Sequence, residues 1–287
     1  MELEGKRVVV TGAGQGLGKA YAEAIAGHGA SVILNDVNSD SVEEVAASIQ
    51  RAGGTAKTAI GSVSDWEEAG RAVSQCVQHF GGIDAIVNNA GLHTTNAFLD
   101  EDPEFAKRLI EVNVVGSIYG SLHAARRMAE QGSGGVILNV SSGAASGLPM
   151  MATYGASKGA IASLTWNLAG ELREYGIRVN AISPAAITSM LEAKRKVSPS
   201  VVTWGPELMT PLVVFLLSDL SRDITGQIVR QWENDVHLMK HHGLLSPRVR
   251  RDSWTPAEFA AVFKAELKEQ LQPYQRDMEE YPVPVIG

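Results

Sequence analysis

Tyr154 and Lys158 close the stretch Tyr154-Gly155-Ala156-Ser157-Lys158, so on a helix they stand one turn apart on a single face. A free phenol ionises near pH ~10, too high to serve as a base near neutrality. A lysine cation about 4 Å away, at an effective dielectric of roughly 20, favours the phenolate by about 4 kcal/mol, or roughly 3 pKa units. The spacing therefore predicts a phenol that can exchange a proton with an alcohol or a ketone. Whether the pair makes a site depends on what other elements bring to it.

The first such element lies near the N-terminus. Arg7 to Thr11 is a short valine-rich run, read as a buried strand. It empties into Gly12-Ala13-Gly14-Gln15-Gly16-Leu17-Gly18, and Lys19 to His28 reads as a helix. A strand, a glycine turn and a helix in that order make a phosphate site, because glycines admit a close pyrophosphate and the helix start offers free N–H groups. A second strand, Ser31 to Asn35, ends in Asp36, placed for the acid that binds an adenosine ribose. A carboxylate there accepts bonds from both ribose hydroxyls and repels a 2′-phosphate, so NAD is expected over NADP.

Further strands are expected at 55–60, 83–88, 135–141, 177–183 and 227–231, alternating with helices. Capping boxes at Ser41-Val42-Glu43-Glu44 and Ser64-Asp65-Trp66-Glu67 mark two helix starts, and the first helix stops at Gly53-Gly54. The helical stretch from Pro103 to Glu130 is interrupted near Asn113 and Gly116, with Asn113 expected to be buried among valines. Strand five delivers Ser141 and Ser142 to the carboxyl edge of the sheet, where open α/β folds bind ligands. The pattern specifies an α/β fold: a Rossmann-like, doubly wound, seven-stranded parallel sheet with helices on both faces. One domain is expected over 1–239. The segment 240–287 is expected to be a C-terminal extension with one amphipathic helix, opened by Thr255-Pro256-Ala257-Glu258 and striped by Phe259, Val262, Phe263, Leu267 and Leu271.

Composition narrows the function. The 287 residues are 45% hydrophobic and 20% charged, which allows a full core. A net charge of -7 argues against a nucleic-acid partner. Cys76 is the single cysteine and falls at core spacing with Val73, Val77 and Phe80, so neither a disulfide nor a metal site is expected. No apolar run reaches membrane-spanning length and no signal peptide is expected, so the expected location is cytoplasmic.

Together these residues resemble the short-chain dehydrogenase/reductase family over residues 5–232. The motifs that carry the resemblance are Thr11-Gly12-x-x-x-Gly16-x-Gly18, Asn88-Asn89-Ala90-Gly91, Asn113, the strand-five serines and Tyr154-x-x-x-Lys158. The resemblance implies a nicotinamide cofactor, an Asn-Ser-Tyr-Lys tetrad and a homo-oligomer, with a tetramer favoured over a dimer. Tyr154 would then exchange the proton with the substrate oxygen, and Ser142 would hydrogen-bond that oxygen. Lys158 would lower the Tyr154 pKa and hold the nicotinamide ribose. Asn113 would hold a water linking Lys158 to solvent. Gly12, Gln15, Gly16, Leu17, Gly18, Asp36, Ser62, Val63, Asn88, Ala90 and Gly91 would line the dinucleotide, with Pro184, Ile187 and Thr188 on its nicotinamide side.

The chain departs from the family in four places. Ser142 lies one residue nearer Tyr154 than is usual, a spacing that would select Ser141; the strand end favours Ser142. Ser62 stands where an aspartate is usual, and Ala185 where a glycine is usual. Trp232-Glu233-Asn234-Asp235 replaces the usual glycine pair after the last strand. The expected activity is NAD-dependent oxidation of a secondary alcohol. The pocket candidates His93, Ser142, Met150, Met190 and Trp204 are mainly apolar and suggest an alicyclic, terpenoid, aromatic or steroid-like small-molecule substrate. One alternative is a 3-hydroxyacyl-CoA dehydrogenase, with Lys194, Arg195 and Lys196 on the CoA phosphates. The other is an NAD-sensing module without turnover.

Overall fold

The computed structural model describes residues 1–185, 204–241, 249–250 and 255–268. Met190, Ile187, Thr188, the basic trio 194–196 and Leu271 therefore lie outside the described residues. The chain divides into two compact units, one over residues 1–239 and one beginning at Lys240.

In the first unit, strands β1 (Arg7–Thr11), β2 (Ser31–Asp36), β3 (Thr55–Ile60), β4 (Ala85–Asn88), β5 (Gly135–Val140), β6 (Ile177–Ala185), β7 (Ile228–Trp232) and β8 (Asp235–Leu238) form one sheet. Their order is β3-β2-β1-β4-β5-β6-β7-β8, and all pairs are parallel except β7–β8. Among the described residues the expected seven parallel strands are thus joined by an eighth, antiparallel one. The residues that replace the glycine pair form a tight hairpin, with Trp232 opposite Asp235 and Glu233 at φ +50°. The chain order reverses between β1 and β4, and a crevice opens beyond the carboxyl ends of strands at such a switch point.

The central strands are apolar on both faces because helices cover both. Val8, Val10, Val32, Leu34 and Leu138 face α1 (Gly16–Gly27), α2 (Ser39–Arg51) and the helix Thr210–Leu217. Val9, Ile33, Ile86, Ile137 and Val179 pack with Cys76 of α3 (Trp66–Phe80) and Met128 of α5 (Gly116–Gln131). Burial raises the Cys76 thiol to about 12, which makes it an inert core residue.

Two helix starts differ from the sequence expectation. Asn38, not Ser41, caps α2 by accepting from the Ser41 amide, and Asp65, not Ser64, caps α3 by accepting from the Glu68 amide. In both cases the cap is the residue whose own backbone is extended where the chain leaves a strand or loop. In the second unit, the Thr255 capping box forms as expected and opens the helix Pro256–Val262. Phe259 and Phe263 of its stripe are each 47% exposed. Among the described residues no helix is long and apolar enough to cross a membrane.

Candidate active site

The glycine loop owes its shape to positions where a side chain has no room. Gly12 and Gly16 have φ of +62° and +55°. A Cβ on Gly12 would lie 2.8 Å from Ala90 Cα, and one on Gly18 would lie 2.0 Å from the Gly12 carbonyl oxygen. The α1 start has neither a side-chain cap nor an acid in its first turn, leaving its N–H groups to an anion. Leu17 packs into the core beneath. We expect Gly18→Ala to cost about 2–3 kcal/mol, since the clash is with backbone that cannot step aside; chemical denaturation reads this directly.

The loop is tied to β4 by residues of the two motifs, Thr11 and Asn89. Thr11 Oγ1 accepts from the Asn89 and Ala90 amides, both at 3.0 Å, and Asn89 Nδ2 donates to the Thr11 carbonyl at 2.9 Å. Asn88, expected along the adenosine side, is turned the other way. Its side chain, at the end of a strand where successive residues alternate faces, donates to Ser121 Oγ and Asn139 Oδ1, each at 2.9 Å. It is a buried structural amide that joins β4 to β5 and α5.

Asp36 ends β2 beside the loop. Its Oδ2 accepts from the Gly14 amide at 2.9 Å and its Oδ1 from the Asn38 amide at 3.0 Å. The carboxylate thus holds the glycine loop and the α2 start together. Ser62 bonds Ser64 Oγ at 2.8 Å, and its amide donates to Glu68 Oε2 at 2.7 Å. The Val63 side chain is buried, close enough to Gly116 that a Cβ there would lie 2.5 Å from it. The glycine cradle, the open helix start and Asp36 fit a dinucleotide, whose pyrophosphate needs close backbone and whose ribose needs an acceptor.

The reactive end is built by α6 (Ala152–Glu171) and the turn after β5. Ser142 caps the single 3-10 turn Gly143–Ser146, and its hydroxyl hydrogen-bonds the Tyr154 phenol. Ser141 does not compete: it is buried, and its hydroxyl donates to the Lys158 carbonyl at 3.0 Å. The Lys158 ammonium lies 5.7 Å from the centre of the Tyr154 ring and donates to the Val140 carbonyl at 2.8 Å. A Cβ on Gly91 would sit 3.6 Å from this ammonium and 3.2 Å from Asn113 Oδ1, so Gly91 keeps the crevice open between them.

Burial raises the Tyr154 phenol above the ordinary phenol value, and the Ser142 bond offsets only part of that rise. Lys158 is itself pushed down to about 8 by burial. The Asn113 side chain is used on protein. It accepts from the Leu92 amide at 2.7 Å and donates to the Leu92 carbonyl and to Ser157 Oγ. It does so from a π-helical turn, Glu111–Val115, inserted between α4 (Pro103–Ile110) and α5, and such bulges recur at functional sites.

Around the phenol, the His93 ring meets the Tyr154 ring edge-on, with centroids 4.5 Å apart. Met150 is 46% exposed at φ +63°, a conformation costly for a side-chain-bearing residue, and its carbonyl accepts from the Asn96 amide at 2.9 Å. Trp204 donates from Nε1 to the Ala185 carbonyl at 2.5 Å and packs edge-on against Trp232. Pro184 lies within β6, opposite Gln231. Of the expected pocket residues, His93 and Ser142 touch the phenol.

Comparison with known proteins adds a family to this geometry. A family model described as short chain dehydrogenase matches residues 6–198. An L-rhamnose 1-dehydrogenase (NAD(P)(+)) of Azotobacter vinelandii is 36% identical over 79% of this chain and 94% of its own. A trans-4-hydroxycyclohexanecarboxylate dehydrogenase of Sinomonas cyclohexanicum is 32% identical over 77% of this chain and 89% of its own. The crystal structure of a short chain dehydrogenase from Mycobacterium avium superposes with a TM-score of 0.84 at 32% identity, covering 95% of this chain and 98% of that one.

Proposed function

The chain belongs to the short-chain dehydrogenase family and is an oxidoreductase, and from that premise we propose that it interconverts a secondary alcohol and a ketone with NAD. The observation that carries this reading is the meeting of the Ser142 hydroxyl and the Tyr154 phenol, one helical turn from Lys158 and at the open edge of the sheet. A nicotinamide dinucleotide, when bound, supplies the hydride acceptor. Gly12, Gly14, Gly16 and Gly18 would receive its pyrophosphate and Asp36 its adenosine ribose.

The chain's own residues handle the proton. The Tyr154 phenol sits where it can give a proton to, or take one from, the substrate oxygen. Ser142 holds the same oxygen and steadies the charge that develops on it. Lys158 is held at its Val140 anchor, within reach of Gly91 and the ring. Its value near 8 leaves it able to lose or gain a proton close to neutrality. Asn113 fixes the loop after β4 against α6, so that Gly91 and His93 keep their places.

With His93 beside the phenol, Met150 and Trp204 would complete a mainly apolar wall, a reading that suits an alicyclic, terpenoid, aromatic or steroid-like alcohol. The relative named for trans-4-hydroxycyclohexanecarboxylate supports the alicyclic member of that set. The segment from Lys240 onward is read as a C-terminal extension of a homo-oligomeric enzyme. A panel of secondary alcohols and ketones, assayed with NAD and with NADP by absorbance of the reduced nicotinamide, tests the proposal. Turnover of cyclic alcohols with NAD is the expected outcome, and a preference for NADP would remove the Asp36 argument.

Asp36→Ala should weaken NAD binding by about 10- to 100-fold, the worth of a hydrogen bond to a charged group, and should narrow the gap between NAD and NADP. Titration of both dinucleotides against the variant reads the two effects together.

A further inference from the structure

One charged residue of the sheet has no part in the chemistry above. Arg230 lies in β7 between Val229 and Gln231 and is 4% exposed, a degree of burial that arginine reaches only with partners. Its side chain runs across β6, where Nη1 donates to Ser183 Oγ at 3.1 Å. Trp232, two residues on and so on the same side of the strand, covers the cation with its ring at 5.3 Å. Beyond Ser183 the guanidinium meets the residue after Ser142. A Cβ on Gly143 would lie 2.6 Å from Nη1, 3.0 Å from Cζ and 3.2 Å from Nη2. The three distances are similar, so the planar group lies flat beneath Gly143.

The turn Gly143–Ser146 is held from the other side by α6. A Cβ on Gly155, the residue after Tyr154, would lie 2.7 Å from the Ala144 carbonyl oxygen. The turn is therefore clasped between the Arg230 plane and the helix that carries the phenol, with a glycine at each contact. Ser142 begins that turn and accepts from the Ala144 amide at 3.2 Å, so its hydroxyl moves with the turn.

We propose that Arg230 is a positioning residue, whose guanidinium props the Gly143–Ser146 turn and thereby sets where the Ser142 hydroxyl meets the Tyr154 phenol. The inference rests on the assignment of Ser142 and Tyr154 to the reactive end. It gives β7 and its hairpin a share in the geometry of a site built on β5 and α6. A lysine would keep the charge but lose the flat face that matches Gly143.

The test needs neither substrate nor dinucleotide. Fluorotyrosine placed at position 154 reports ionisation of that one ring by fluorine NMR. Ser142→Ala should raise the ionisation midpoint by about one pH unit, the scale of one lost hydrogen bond. Arg230→Gln should raise it by a similar amount, Arg230→Lys by less than Arg230→Gln, and the Ser142→Ala/Arg230→Gln pair by no more than Ser142→Ala alone. An Arg230→Gln midpoint equal to that of the wild type, or additive shifts in the double variant, would overturn the proposal. Should Arg230→Gln not fold, Gly143→Ala, which lifts the turn off an intact guanidinium, must give the same upward shift, and an unmoved midpoint would overturn it equally. An unmoved midpoint in Ser142→Ala would bring down the reading of Ser142 and this proposal with it, whereas absence of turnover on the alcohol panel would leave the shifts as stated.

Discussion

Tyr154→Phe is expected to lower turnover by about three orders of magnitude while leaving dinucleotide binding within about twofold of the wild type, because general acid–base catalysis supplies roughly 10²–10⁴-fold. The substitution removes one oxygen and keeps the ring, so the edge-on contact with His93 survives. It removes the partner of the Ser142 hydroxyl, which can still turn toward a substrate oxygen. The glycine cradle and Asp36 lie at the other end of the crevice and do not touch the phenol. Steady-state rates with fluorescence titration of the dinucleotide separate the two effects. A variant that keeps substantial turnover would take the proton from Tyr154 and give it to another group.

Lys158→Met should give the opposite pairing: a more stable protein that has lost its activity. Lys158 is 5% exposed, and burial lowers its pKa from 10.5 to about 8. At about 1.4 kcal/mol per unit that depression amounts to about 3 kcal/mol against folding. The Val140 carbonyl, left without its donor, takes back part of the gain, so a net stabilisation of about 1–2 kcal/mol is expected near pH 7. The sign fixes the pH dependence. Below pH 8 the lysine is charged in both states and its burial penalty is present in full. Between 8 and 10.5 only the unfolded chain holds the proton, so the stability of the wild type climbs. Above 10.5 the penalty is gone, and the variant's advantage goes with it. Denaturation of both proteins across that range checks the slope. A buried cation kept at the expense of stability is what a functional role for Lys158 predicts.

The fold was legible because its signals are local. Valine runs, a glycine loop and regular alternation of strand and helix specify a doubly wound sheet, and the interruption at Asn113 and Gly116 marks the π-helical turn. The eighth strand was hidden because Trp232-Glu233-Asn234-Asp235 lacks the glycine that tight hairpins favour, and Glu233 takes the left-handed conformation instead. Helix caps were displaced because Ser41 and Asn38, or Ser64 and Asp65, are chemically equivalent caps until the preceding loop chooses between them.

The site was legible in its members and less so in their states. Asn88 and Asn89 are neighbours of the same type, and only the face each takes at the strand end tells a structural amide from a loop tie. The Tyr154–Lys158 spacing places two side chains on one face but says nothing of desolvation, which opposes the pair and prevails for both. Arg230 left one mark, a charge within a short strand between Val229 and Gln231, whose meaning depends on a turn far away in sequence.

The central claim is a hydride passed between a secondary carbinol and NAD at the Tyr154 end of the crevice. Cyclohexanol deuterated at its carbinol carbon, incubated with the enzyme and NAD, tests it most directly when the reduced dinucleotide is analysed by mass spectrometry. The claim predicts one deuterium in the dinucleotide formed by the wild type, with none formed by Tyr154→Phe over the same period. Tight binding of NAD with no label transferred from cyclohexanol or any other cyclic or aromatic alcohol would contradict it and make the protein a dinucleotide-binding module.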